Sequence, residues 1–450
     1  NYAGDTYTLY FNEANAASYN NTTFAFRPTA GDQFVSNHGG TGNYMGFYNQ
    51  YNDHGTRVAF EAVSYHVLKQ KIEGTTSIYE HEGNKVNQYF VSEETKTAVS
   101  EATITLYAKT SNSDDFTTAA NSFVMPSINQ PEHGKFYRLR CAGGEKRYVS
   151  SVISNSRLEM SEQDATNPNY MFVYDATQGN TGLLSYSQGK YITTHALNEI
   201  GSKTSVVFTS AQNGVLGQYN ISVGNRYIYG RGNTQDNHID SGTGSPTNAN
   251  ELGYNWCLEE VTTLPVTITS AGYATFYCPV AVTLPNSLEA YYVGETTNNS
   301  AKMTPIEGVI PANTGVILKG DANTYNFNIV ADVDAVADNK LAGTVASAYV
   351  TDDAYVLSKQ GEVVGMYKAA KNQQNNSSWL NNAFKAYLPA NAVTTAGARF
   401  LVFDFGGTET AIEGVEAEST ANAVVYDLAG RRVQNAQKGV FIVNGKVVVK

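Results

Sequence analysis

The stretch Arg226-Tyr-Ile228, followed across a Gly-, Asn- and Asp-rich interval by Trp256-Cys-Leu258, has two counterparts upstream. Lys146-Arg-Tyr-Val149 precedes Tyr170-Met-Phe-Val173, and Lys190-Tyr-Ile192 precedes Val206-Val-Phe208. Each unit joins a short strand of basic residue, Tyr and β-branched residue to a later strand centred on an aromatic. Self-similarity at a fixed period marks a repeat architecture, and three units of about 40 residues fit a β-trefoil. It is placed at 127–262, where Pro131-Glu-His-Gly-Lys-Phe-Tyr-Arg-Leu-Arg140 restarts the strand pattern.

The pattern also extends backward. Gly31-Asp-Gln-Phe-Val35 and Ala59-Phe-Glu-Ala-Val63 match Gly224-Asn-Arg-Tyr-Ile228 and Asn255-Trp-Cys-Leu-Glu-Glu-Val261, so residues 1–63 read as the C-terminal part of another trefoil. From Val63 the period changes from two to 3.6. Val63, Val67, Leu68 and Ile72 share one helical face, and Phe116, Ala119, Ala120, Phe123 and Val124 share another. The second predicts a helix over 114–125, capped by Ser113 and stopped by Pro126, with a further helix over 92–107. Residues 64–126 thus read as a small helical spacer. Beyond Thr262, Val266-Thr-Ile268, Val280-Ala-Val282, Val309 to Lys319, Ala354-Tyr-Val-Leu357 and Phe400-Leu-Val-Phe403 are spaced as in a β-sandwich, placed at 263–405. A β tail closes the chain at 406–450. The fold class is mainly β and multidomain: β-trefoil plus β-sandwich, with the helical spacer between trefoil segments.

Composition agrees with this class. Charged residues are 16%, below the usual quarter, while Gly (39) and Tyr (31) are abundant, as in extracellular β-rich proteins. A net charge of −11 argues against nucleic acid and anionic membranes as partners. No apolar run approaches the roughly 18 residues of a membrane span. Because it starts at Asn1 with strand-like sequence, the chain is expected to be a mature form or a fragment. Cys141, Cys257 and Cys278 have no metal-site spacing and read as buried small hydrophobes. Alternation puts Cys141 with Leu139 on one face and turns Cys257 away from Trp256 and Leu258.

By its repeat residues, 127–262 resembles the ricin-type lectin-like trefoils attached to secreted glycoside hydrolases and sialidases of gut Bacteroidetes. That family's Gln-x-Trp signature reads Tyr254-Asn-Trp256 here. Ser270 to Val282, Val309 to Lys319 and Phe384-Lys-Ala-Tyr-Leu-Pro-Ala390 resemble a module recurring near the C-termini of large secreted Bacteroidetes proteins. Tyr426-Asp-Leu-Ala-Gly-Arg-Arg-Val433 and Gly439-Val-Phe-Ile-Val443 resemble type IX secretion sorting domains. These resemblances imply an extracellular or outer-surface location, host or dietary glycans as partners and a catalytic domain upstream, a glycoside hydrolase or sialidase.

Direct signs of catalysis are missing from the sequence. The seven histidines are scattered and read as exposed loop residues, and no nucleophile elbow, P-loop or dinucleotide fingerprint calls for a cofactor. The β modules leave no stretch of roughly 250 residues for a catalytic barrel. Carbohydrate binding is better matched, since sugars stack on aromatic rings and hydrogen-bond to Asp, Asn and His. One such loop carries Tyr44, Tyr48 and Asp53. The other carries Tyr229, Arg231, Asn233, Asp236, Asn237 and His238. Asp236, Asn237 and Asp240 could also hold calcium, but without the EF-hand register no metal is assigned. The leading reading is a non-catalytic carbohydrate-binding or adhesion region. The alternatives are a structural spacer with degenerate trefoils and a glycoside hydrolase with an unrecognised site.

Overall fold

The computed structural model describes residues 63–143, 147–162, 164–232, 237–244, 246–247, 252–297, 299–373, 377–394 and 397–406. It also describes the backbone of short strands near both ends. Of these, Tyr10–Glu13 pairs with Phe24–Arg27 and Phe34–His38 with Tyr44–Tyr48. Val425–Asp427, Arg432–Val433, Val440–Val443 and Lys446–Val449 form a four-stranded sheet.

Three helices follow the first strands: α1 (Val63–Ile78), α2 (Glu93–Tyr107) and α3 (Ser113–Asn121). Leu68, Ile72, Val99, Ala102, Leu106, Phe116, Ala120 and Phe123 form their common core. Ser92 caps α2 by accepting the Thr95 N–H. The cap of α3 is Asn112, not Ser113 as expected. Asn112 Oδ1 accepts the Asp114 and Asp115 N–H groups while Asp115 accepts the Asn112 N–H, so both ends of a capping box are satisfied. This helix stops at Asn121, short of Pro126, because the Ser122 hydroxyl donates to the Ala119 carbonyl (2.6 Å) and ties up the last turn. Val124 therefore lies beyond it and is 81% exposed. The expected apolar face of α1 also rotates: Val63 and Val67 are exposed, and Leu68, Ile72, Thr75 and Ile78 are buried.

After the short pair Tyr89–Phe90 and Ser127–Ile128 comes a ten-stranded sheet, its strands named in chain order: β1 (Phe136–Cys141), β2 (Tyr148–Ser154), β3 (Arg157–Ser161), β4 (Phe172–Asp175) and β5 (Gly182–Ser185). The remainder are β6 (Val206–Ser210), β7 (Tyr219–Val223), β8 (Arg226–Gly232), β9 (Asn237–Gly242) and β10 (Asn255–Glu260). Antiparallel pairs β1–β4, β4–β5, β6–β7, β7–β10 and β10–β1 make all but one seam of a six-stranded ring. The last seam, β5 to β6, closes where the Val206 N–H meets the Thr181 carbonyl (3.3 Å) and the Thr181 hydroxyl donates to the Val206 carbonyl. Hairpins β2–β3 and β8–β9, and the bridges Leu184↔Tyr191 and Ile192↔Leu197, lean on the ring at equivalent steps of the repeat. All three cysteines are free and buried. Trp256 stands opposite Cys141 and Cys257 opposite Arg140, so the two thiols lie on different faces, as alternation predicts.

Strands β4 and β5 are buried on both faces, which explains their continuous apolar runs. Phe172, Tyr174 and Leu183 face the ring interior, whereas Met171, Val173 and Leu184 join a second core with residues from 261 onward. That second core is shared by a two-stranded ribbon, Thr263–Ile268 paired with Asn323–Asn328, and one end of a larger sheet, while a third core around Val293, Ile317, Met366 and Leu401 fills the rest of this nine-stranded sheet. Its order is Tyr273–Phe276, Val316–Lys319, Glu289–Thr296, Ser300–Ile306, Phe400–Asp404, Val363–Lys368, Ala354–Gln360, Lys385–Pro389 and Ala342–Thr344. The Tyr277 N–H donates to the Phe384 carbonyl (3.0 Å) and the Phe384 N–H to Thr344 (2.8 Å), bringing the two sheet edges back together. In the region read as a sandwich the sheet thus curls on itself, a choice that strand spacing alone does not make.

Phe384 is the key of the junction. Its φ of +57° is unusual for a bulky side chain, and its ring lies 4.7 Å from Tyr186 and 5.9 Å from Phe136. Beside it the Ser347 N–H donates to the Gly189 carbonyl (3.0 Å) and the Tyr186 hydroxyl to Pro265 (2.9 Å). The helical unit is docked to the ring as well. Asn87, at φ +63°, donates to the Leu258 carbonyl (2.7 Å), accepts the Leu258 N–H (3.0 Å) and gives its own N–H to the Tyr219 hydroxyl (2.8 Å).

Candidate functional site

The β8–β9 hairpin gathers most of the second predicted loop. Its register sets Tyr229 opposite Asp240 and Arg231 opposite His238. Residues two apart on a strand, and residues directly opposite across an antiparallel pair, share a face, so these four stand together. The other face carries Ile228 and Ile239, both fully buried, and anchors the hairpin in the ring core. Gly230 lies between them because a Cβ there would come within 2.8 Å of Cys141 Sγ and Met160 Sδ. Trp256 Nε1 donates to the Ile228 carbonyl (3.0 Å) and fixes the hairpin against β10.

Asp240 is the centre of the polar face. Arg157, from β3, approaches its Oδ2 with Nη1 at 2.9 Å, and Arg231 Nε lies 3.3 Å from the same oxygen. Arg157 Nη1 is also 2.7 Å from His238 Nε2; because a guanidinium only donates, that imidazole nitrogen is the acceptor. Burial pushes the Asp240 carboxyl up, but the Ser241 N–H and the two guanidiniums outweigh it and hold the group below its ordinary value. Tyr229 completes the site. Its ring packs 4.7 Å from Tyr254, with the Arg231 guanidinium 5.9 Å from its centroid.

Tyr229, Arg231 and His238 are therefore brought together, and Asn237 opens β9 opposite Gly232. His238 is a half-buried strand residue rather than the exposed loop histidine expected, since β9 pairs with β3 at His238↔Glu159. Asp240, considered above only for calcium, is engaged by guanidiniums, and two cations at its Oδ2 oppose a metal ion there. Asn233, Asp236 and Asp53 lie outside the described residues. Tyr44 and Tyr48 are described only as backbone, opposite His38 and Phe34. Sequence reasoning missed Arg157 and Tyr254. Arg157 had a local signal: Asn155 and Ser156 take positive φ (49° and 64°), as a two-residue hairpin turn requires, and Leu158 and Met160 alternate inward beyond it.

Comparison with known proteins gives neither a family nor a function. No protein-family model and no curated protein matches the chain. Among solved structures, a mosquitocidal holotoxin is similar over 84% of this chain, at 9% identity and a TM-score of 0.22; the chain spans 47% of that protein's length. Cry35Ab1 is similar over 58% of this chain and 89% of its own, at 8% identity and a TM-score of 0.22.

Proposed function

We propose that the chain is a non-catalytic carbohydrate-binding region of a secreted or surface-attached glycan-processing protein, with the β8–β9 hairpin as its sugar contact. The observation that carries this reading is the shared face of Tyr229, Arg231, His238 and Asp240. Asp240 is held ionised and oriented, with both guanidiniums on Oδ2 and the Ser241 N–H on Oδ1 (2.8 Å), which leaves one Oδ1 lone pair to accept a sugar hydroxyl beside guanidinium donors and a tyrosine. The closed six-stranded ring with three leaning hairpins supports a trefoil for 127–262. The resemblances of 263–405 and 406–450 support an extracellular location, a type IX sorting-like tail and an upstream hydrolase or sialidase.

A glycan-array screen of the full chain beside Asp240→Asn and Tyr229→Ala variants tests the reading. Selective binding weakened roughly tenfold in Asp240→Asn matches the loss of a charge-assisted hydrogen bond. Binding untouched by both substitutions places the contact elsewhere. One observation favours the structural-spacer alternative: the Tyr229 ring is packed by Tyr254 and approached by Arg231, so it is not a bare stacking platform. No binding by the intact chain leaves that alternative standing.

A further inference from the structure

A separate site lies in the curled sheet. Two hollows of about 310 and 460 Å³ adjoin each other and share Thr267, Asn382 and Lys385 in their linings. The first opens toward the ring at Tyr186 to Gly189, and the second runs past Tyr273, Thr275 and Asn381. Neither lining contains an Asp or a Glu among the described residues. Among the described residues the Lys385 ammonium has no ion-pair or hydrogen-bond partner, although exposed lysines nearby, such as Lys368 and Lys371, pair with Asp353. Burial is the cause that pulls Lys385 below the ordinary lysine value, with no charge opposing it. The position is also fixed: Lys385 follows the left-handed Phe384, and its carbonyl accepts the Asn381 side-chain amide (3.0 Å).

A partly desolvated ammonium without a counter-charge costs stability, and an entering carboxylate would recover it. Both N–H groups of Asn381 are already given, to Thr344 and the Lys385 carbonyl, but the Asn382 amide, the Tyr273 hydroxyl and the second bond of the Thr267 hydroxyl, whose first goes to Thr324 (2.9 Å), have the chemistry that holds polyols. We propose that the hollow flanking Lys385 binds an acidic monosaccharide, with the sugar carboxylate on the Lys385 ammonium and its hydroxyls on Thr267 and Asn382. The proposal rests on the carbohydrate reading only for the choice of a polyol. Its site is distinct from the β8–β9 hairpin.

The test is calorimetric titration of the full chain with D-glucuronate, with methyl glucoside and propionate as comparisons. Wild type is expected to bind glucuronate in preference to both, and Lys385→Met to weaken that binding about tenfold or more, as loss of a charge-assisted contact does. Lys385→Met should melt no lower than wild type, because it removes a partly desolvated, unpaired charge; this separates loss of binding from loss of fold. Lys359→Met, at an exposed lysine paired with Glu362 and outside both sites, should leave glucuronate affinity unchanged. Wild type that ignores glucuronate, or Lys385→Met that binds it equally, overturns the proposal. Propionate binding as tightly as glucuronate overturns its sugar part. Glucuronate binding lost in Asp240→Asn but kept in Lys385→Met assigns the ligand to the hairpin, and the hollow proposal fails while the hairpin reading stands.

Discussion

Asn87 acts in place of a strand at the edge of β10. Its side-chain amide makes with Leu258 the two bonds that a paired backbone would make, and its positive φ is one that Asn tolerates better than most residues. Truncation to Ala strands two backbone groups of a buried strand. Asn87→Ala is expected to lower stability by about 2–3 kcal/mol, read by urea denaturation at constant m-value. Asp175 offers a test by pH. Burial would raise its carboxyl, but the Lys203 ammonium (2.8 Å), the Thr177 N–H (2.9 Å) and the Thr177 and Tyr191 hydroxyls hold it down to about 2. Folded below an unfolded value near 3.9, such a group stabilises the protein above about pH 4, and the contribution fades as pH falls toward 2. It amounts to roughly 2.6 kcal/mol by linkage. Acid titration of unfolding should show this loss in wild type and a flatter profile for Asp175→Asn.

At the scale of elements, the β8–β9 hairpin is held from behind as much as from in front. Gly230 lets its backbone lie against Cys141 and Met160, both fully buried, so an added methyl has no room. Gly230→Ala is expected to cost about 1–3 kcal/mol and to disturb the Tyr229 face, detected as a lower melting temperature and altered tyrosine near-UV dichroism. The repeat that builds this hairpin was legible because Arg226-Tyr-Ile228 and its counterparts recur in order. The partners of Asp240 were not. Arg157 arrives from a strand some eighty residues earlier in the chain, and only the pairing of β9 with β3 makes them neighbours. Lys385 was hidden for a similar reason: nothing local distinguishes an unpaired lysine from an ordinary alternating strand residue. Helix boundaries failed on a smaller point, since Asn112 and Ser113 are both good caps and only the reciprocal Asp115 bond chooses between them.

On the scale of the whole molecule, ring and curled sheet share a core. Only Val261 and Thr262 separate the end of β10 from the next strand at Thr263. Phe384 fills the contact between the two bodies, and its truncation to Ala is expected to cost about 3–5 kcal/mol. Scanning calorimetry should show one cooperative transition in wild type and two separated transitions in Phe384→Ala. A single sharp transition in the variant would mean that the junction is not what couples them.

The backbone bond between Gly189 and Ser347 bears on how the protein carries load. A Cβ at Gly189 would lie 2.3 Å from Ser347 Oγ and 2.5 Å from the Ala383 methyl, so neither body has slack to slide over the other. Pulling the ring away from the curled sheet must shear a packed aromatic contact and two hydrogen bonds together rather than straighten a linker. Tension is therefore passed on as through a stiff bracket, and the distance between the hairpin face and the far edge of the curled sheet stays fixed under strain.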